Sequence, residues 1–314
     1  MTFLSIVLAL LIEQWRERSV LKSAGLSLIQ MTDWFDAGLS RRGIGPAARW
    51  WILVGGAVCV CQAVQFFLLR GNGFLLLAFN VLVLYWTMGL RYEGRYLTDI
   101  IFALRMGEID RARAVFAQWC ASACHTHTIT TGQLIRLSIE KNLTSVHRHV
   151  LGVLLYFLFF GAAGATAYRL ACFLGRDRGL CQIASGIQSD VTLTDTFAQR
   201  AFFFMDWLPQ RVTAIIFSIA GNFEDAQFCW RTQTALWPDK NDGVILASGA
   251  GALGTQLGGA LNIDGHILSR PELGVSAHEA GVEKLQASAG LAWRALALFL
   301  LLPGLIAIAR WVGG

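Results

Sequence analysis

The chain has 314 residues, 55% of them hydrophobic and 15% charged, with a mean hydropathy of +0.51 and 11 tryptophans; soluble domains usually hold roughly 45–50% apolar and about 25% charged residues. That balance excludes a globule wetted on all sides and makes lipid the solvent for much of the surface. The formal net charge of +5 forms no Lys/Arg run or basic stripe, which excludes nucleic acid as a partner and leaves cytoplasmic anchoring loops as the reason for it.

In chain order, residues 3–12 are apolar but too short to cross about 30 Å of hydrocarbon. They lack a basic n-region and an A-x-A-like cleavage site, so a retained N-terminal helix is expected rather than a signal peptide. Residues 50–69 and 74–90, joined by Arg70-Gly71-Asn72-Gly73, are predicted as an antiparallel membrane hairpin. Lys and Arg crowd both flanks of that hairpin while its tip holds only Arg70, which puts the tip outside.

Residues 91–149 read as a polar, cytoplasmic, helical insertion. Ile101, Leu104, Ile109, Ala112, Phe116 and Trp119 fall near helical spacing with a break at Gly107, so two short amphipathic helices fit. Residues 150–167 make a third span, and residues 175–200 read as an exposed loop. Residues 201–221, which contain Asp206, Pro209 and Arg211, and residues 244–261, built from Gly, Ala and Ser, are predicted as broken or re-entrant helices shielded by protein. Residues 291–309 make a fourth span. The expectation is an all-α, polytopic membrane helical bundle, a single integral domain over residues 1–314.

Gly249, Gly251 and Gly254 have the G-x-G-x-x-G spacing of a dinucleotide site. A nucleotide fold would continue with an unbroken helix and a second strand ending in an acid, whereas here Gly258-Gly259 would break that helix. The same residues give small-xxx-small spacings at Ala247/Gly251 and Gly254/Gly258, the pattern of close helix packing. Cys120, Cys124, His125 and His127 are four soft ligands in eight residues, too compressed for a usual zinc pattern, and no metal site is assigned. Glu140, His147, Arg148 and His149 gather just before the third span. They read either as an interfacial collar or as the polar wall of a site, with Glu140 polarising a nucleophile and His147 or Arg148 meeting an anionic group. Asp206 and Arg211, flanked by apolar sequence, either pair with each other or line a functional cavity. Asn222, Glu224 and Asp225 read as a helix N-cap and first-turn acids.

The order of "RYLTDIIFALRMGEIDRARAVF", "RLSIE", "FGAAGATAYR", "DWLPQRVTA" and "GAGALGTQLGG" resembles the CobD/CbiB family of membrane proteins, whose relatives include AmpE. Pro209, Arg211 and Thr213 match the family's Pro-x-Arg-x-Thr pattern. The resemblance implies an inner-membrane protein that joins aminopropanol, or its phosphate, to cobyric acid to give cobinamide. ATP and magnesium are the cofactors such a synthase would draw on, and a corrinoid precursor, membrane lipid and a second copy of the chain are its candidate partners. Glu140, Asp206 and Arg211 are then the catalytic candidates, and His147, Arg148, Tyr168, Arg169 and Asn222 the substrate-binding ones. The sequence also departs from the family. Thr144 and Ser145 replace a Glu-Asn pair, "CFLGR" follows Tyr168-Arg169 in place of Asn-Thr-Leu-Asp-Ser, and Phe202-Phe203-Phe204 stand where an Asp-Asp pair is expected. An AmpE-like, non-enzymatic modulator of β-lactamase induction is the alternative that such losses keep open.

Overall fold

Long uncharged runs and small-residue helices dominate the computed structural model, which describes residues 2–15, 34–35, 38–39, 41–71, 73–120, 129–177, 193–263, 266–275 and 280–312. The helices are α1 (Thr2–Trp15), α2 (Pro46–Gly71), α3 (Gly73–Thr87), α4 (Leu90–Arg105), α5 (Ile109–Trp119), α6 (Thr131–Val146), α7 (Gly152–Cys172), α8 (Leu193–Ala220), α9 (Phe223–Gln233), α10 (Lys240–Leu253) and α11 (Val282–Val312). Between α10 and α11, β1 (Leu257–Gly258) pairs antiparallel with β4 (Glu272–Leu273), and β2 (Leu261–Ile263) with β3 (His266–Leu268). The protein is an all-α membrane helical bundle with two minimal β-ladders. It divides into two compact units, Met1–Gly89 with Val153–Met205 and Leu90–Gly152 with Asp206–Gly314.

In the first unit, α2 has 26 residues, about 39 Å of helix at 1.5 Å per residue. It leaves Trp51, Val60, Phe67 and Leu69 more than 60% exposed. Side chains of that size around a helix whose charges, Arg49 and Arg70, lie near its ends are stable in hydrocarbon and costly in water. By length and composition, Pro46–Gly71, Thr131–Arg176 and Val282–Ala309 each suffice for a membrane crossing. Helix α3 does not. The expected span over residues 74–90 ends at Thr87 after 15 residues, about 22 Å, because Met88 and Gly89 leave the helix. It packs against α1 instead.

The expected third span, residues 150–167, is not a single straight helix. Gly161 has φ 64° and ψ −152° inside α7, a region open to glycine alone, and the helix folds back there. Tyr156 and Tyr168 would stand about 18 Å apart along a straight helix, yet their rings stack at 5.0 Å. The small residues of "GAAGA" let the two arms approach closely. A Cβ on Gly164 would lie 2.4 Å from the Tyr156 carbonyl oxygen.

In the second unit, α4 and α5 form the two expected amphipathic helices with a turn at Gly107. The buried face of α4 is Glu93, Leu97, Ile100 and Ala103, one position off the expected Ile101 and Leu104, because the face is set by Glu93, whose carboxylate points inward. Helix α6 starts with a capping box from Thr130 and Gln133, which satisfies two of its free N–H groups. A π-helical turn, His147–Leu151, follows it. Residues 201–221 are not broken, since α8 runs through Pro209. The Met205 carbonyl, which a proline four residues on cannot satisfy, accepts from the Tyr156 hydroxyl at 2.9 Å. Residues 193–200, expected in a loop, are the first turns of α8, and 178–192 lie outside the described residues.

The segment 244–261 does stop partway. Helix α10 ends with Gly254 as a left-handed C-cap, and every residue from Gly243 to Leu253 is buried. The glycine motif therefore serves packing. A Cβ on Gly251 would stand 2.4 Å from the Asp225 carbonyl oxygen and 2.6 Å from Ala226 Cα, so α9 and α10 meet backbone to backbone. Gly251→Val is expected to lower stability by about 1–3 kcal/mol or prevent folding, read as a lower melting temperature in detergent. Gly290→Ala, whose Cβ would meet nothing within 4 Å, should leave it unchanged or raise it.

Candidate functional site

Three consecutive side chains on the π-turn, His147, Arg148 and His149, each meet a carboxylate from a different helix. A π-turn inserts an extra residue into the helical ladder and recurs at functional sites. Here it fans the three side chains toward separate neighbours.

His147, fully buried, lies 2.9 Å from Asp206 Oδ1 through Nε2 and 2.8 Å from Thr213 Oγ1 through Nδ1. Asp206 and Thr213 are each 1% exposed. A carboxylate only accepts, so Nε2 carries the proton toward Asp206. Neutral imidazole then has Nδ1 free to accept from the Thr213 hydroxyl. Asp206 Oδ2 also accepts from Gln210 Nε2. Asp206, Gln210 and Thr213 are spaced i, i+4 and i+7, which puts all three on one face of α8. This is the hydroxyl–imidazole–carboxylate order in which a base is oriented by an acid and polarises an alcohol.

Arg148 pairs with Asp242 of α10, with both side chains about 15% exposed. His149 Nδ1 lies 2.9 Å from Glu93 Oε1 of α4, and the Trp119 indole N–H donates to the other Glu93 oxygen. Burial pushes the Glu93 carboxyl upward. The His149 charge and hydrogen bond, then Lys141 and the Trp119 N–H, more than reverse this and bring it from 4.5 to about 2. His147 and Arg148, expected to meet an anionic ligand, thus meet acids of the chain itself.

Glu140 is 7% exposed and has both oxygens engaged. Arg270 grips it through Nη1 to Oε2 at 2.8 Å and Nη2 to Oε1 at 3.2 Å, and Gly258 N–H donates to Oε1 at 2.8 Å. Arg136 donates to the Gly258 carbonyl at 3.2 Å, so α6 clamps the loop that carries β1. Arg211 does not pair with Asp206. Five residues apart on a helix are about 140° around it, and Arg211 lies over the Trp207 ring at 3.9 Å, donating to the Trp207 carbonyl. Asn222 caps α9 through Asp225 N–H at 3.3 Å, as its sequence context implied. Tyr168 and Arg169 belong to the first unit. There Tyr168 is buried between Tyr156 and Phe202, and Arg169 reaches Cys172 Sγ at 3.9 Å. Of the Cys/His cluster only Cys120 lies within the described residues.

Sequence reasoning missed Glu93, Asp242, Gln210 and Arg270. Gln210 was legible from its spacing to Asp206. Arg270, 130 residues from Glu140, and Glu93 carry no local signal.

No family model matches the chain, and no solved structure matches it. Curated proteins do. The cobalamin biosynthesis protein CobD of Stutzerimonas stutzeri is 31% identical over 207 residues, 66% of this chain and 65% of that protein. Its namesake in Chromobacterium violaceum is 33% identical over 195 residues, 62% of this chain and 60% of that protein. A third, from Leptospira interrogans, is 24% identical over 212 residues, 66% of this chain and 64% of that protein. The chain is similar to these CobD proteins over 62–66% of its length. It spans somewhat less than two thirds of the length of these CobD relatives.

Two outcomes are expected of these buried pairs. Removing one partner of a buried ion pair costs about 3–5 kcal/mol, so Arg270→Met should destabilise the protein strongly in detergent. Adding Glu140→Gln should restore part of the loss, measured as a double-mutant cycle of melting temperatures. Because Glu93 has a depressed folded-state pKa, its stabilisation is full above about pH 4.5 and is lost as pH falls toward 2. Glu93→Gln should flatten the melting-temperature profile across that window.

Proposed function

We propose that this chain is a multi-pass protein of the inner membrane that acts in cobalamin biosynthesis, attaching aminopropanol or its phosphate to cobyric acid to give cobinamide. The observation that carries the reading is the match to the CobD proteins, which are named for cobalamin biosynthesis. Supporting it, Thr213 of the Pro-x-Arg-x-Thr motif is held by a buried His147–Asp206 pair, an arrangement able to handle a proton during amide formation. The exposed apolar surface of α2 supports a bilayer location.

ATP and magnesium, which carboxyl activation would draw on, do not find ligands in the acids the sequence offered. Both Glu140 oxygens are taken by Arg270 and Gly258, and those of Asp206 by His147 and Gln210.

The test is genetic and chemical together. In a cobalamin-making host lacking its own CobD-type protein, this chain is expected to restore conversion of cobyric acid to cobinamide and growth without added cobalamin, and to fractionate with the inner membrane. If corrinoids stay unchanged while β-lactamase induction shifts, the synthase reading is overturned in favour of a modulator.

A further inference from the structure

On α8 the described side chains leave one hydrogen bond unmade. Asp206 can only accept, so Gln210 turns its Nε2 toward it. The other end of the amide, Oε1, is thereby fixed as a buried acceptor with no hydrogen-bond partner, on a residue that is 0% exposed. Leaving such an acceptor bare is unfavourable, since the water it gave up is not replaced. It is one helical turn from Asp206 and three residues from Thr213, on the same face. A bare acceptor next to an oriented imidazole and a hydroxyl is the complement of a molecule that brings an N–H bond and has a proton to lose.

Resting on the synthase reading, we propose that Gln210 and Thr213 form the seat of the amine co-substrate, a small amino alcohol. Gln210 Oε1 accepts from its nitrogen, and Thr213 passes its proton to His147. The proton balance is simple. An N–H bond of the ammonium breaks and its electron pair stays on nitrogen. That proton goes to Thr213 Oγ1 as the Thr213 hydroxyl proton moves to His147 Nδ1. The amine is left neutral and nucleophilic, and the imidazolium is stabilised by Asp206, which remains a carboxylate. Thr213 and Gln210 touch the substrate, His147 acts through Thr213, and Asp206 is a positioning residue. The remaining charges of the turn face elsewhere, Arg148 toward Asp242 of α10 and His149 toward Glu93 of α4, and the carboxylate that faces His147 is Asp206.

The experiment uses the full chain in inner-membrane preparations from the complemented host, with cobyric acid and aminopropanol (or its phosphate) as the probes, and follows cobinamide formation as each substrate is varied. Thr213→Ser is expected to retain wild-type turnover. Thr213→Val, which keeps the shape without the hydroxyl, should lose about 10²–10⁴-fold in kcat with an unchanged KM for cobyric acid. Gln210→Met should raise KM for the amine about tenfold, the equivalent of one lost hydrogen bond, and leave KM for cobyric acid alone. His147→Gln, which removes the acceptor of the Thr213 proton, should lose kcat to a similar extent as Thr213→Val and leave both KM values unchanged. Equal turnover in Thr213→Val and Thr213→Ser, equal amine KM in wild type and Gln210→Met, or wild-type kcat in His147→Gln each overturns the proposal. Where Thr213→Val fails to accumulate in the membrane, the amine KM of Gln210→Met decides. Wild-type membranes that form no cobinamide would instead remove the synthase reading itself.

Discussion

Charge neutralisation inside a low-dielectric unit governs how the second unit is built. His147, Arg148 and His149 are adjacent in sequence, and an acid from α8, α10 or α4 answers each of them. Bringing one of these side chains inward without its acid would cost several kcal/mol, so the three helices are tied to the end of α6 in one arrangement. The π-turn is what separates the three directions. Net stability from such pairs is modest because desolvation opposes the attraction; what they provide is selection of one arrangement over its neighbours.

Small residues complete what the charges begin. Helix α10 is enclosed from Gly243 to Leu253, and it can be enclosed because Gly251 admits the α9 backbone at a distance no side chain would allow. The Glu140–Arg270 clamp then holds the loop leaving α10 against α6. The first unit follows the opposite rule. Helix α2 leaves large apolar side chains outward, which only lipid makes favourable. One chain thus contains a unit organised by buried polar contacts and another organised around apolar surface.

Much of this architecture was legible in the sequence, because composition and run length report the solvent directly. The amphipathic pair around Gly107, the Asn222 cap and the packing role of Gly251 follow from short-range patterns. The reversal at Gly161 was not legible, since an apolar run interrupted by "GAAGA" has the same hydropathy whether it is straight or folded. The end of α3 at Thr87 was missed for the same reason, as Met88 and Gly89 do not lower hydropathy. At the candidate site, His147, Asp206 and Thr213 could each be singled out locally. Their association could not, because 59 residues separate His147 from Asp206 and no periodicity spans that distance. Arg211 shows the converse, being close to Asp206 in sequence and on another side of the helix.

The reversal at Gly161 also bears on how sidedness is deduced for chains of this kind. A segment that turns round within an apolar stretch brings both its ends toward one face, so it adds an even number to the tally of passages rather than one. Each such reversal, like each apolar helix too short to cross, changes by one the number of passages read from hydropathy maxima, so the side assigned to later loops depends on both kinds of segment. A glycine with a positive φ can therefore change the compartment assigned to more than a hundred residues without altering any hydropathy peak.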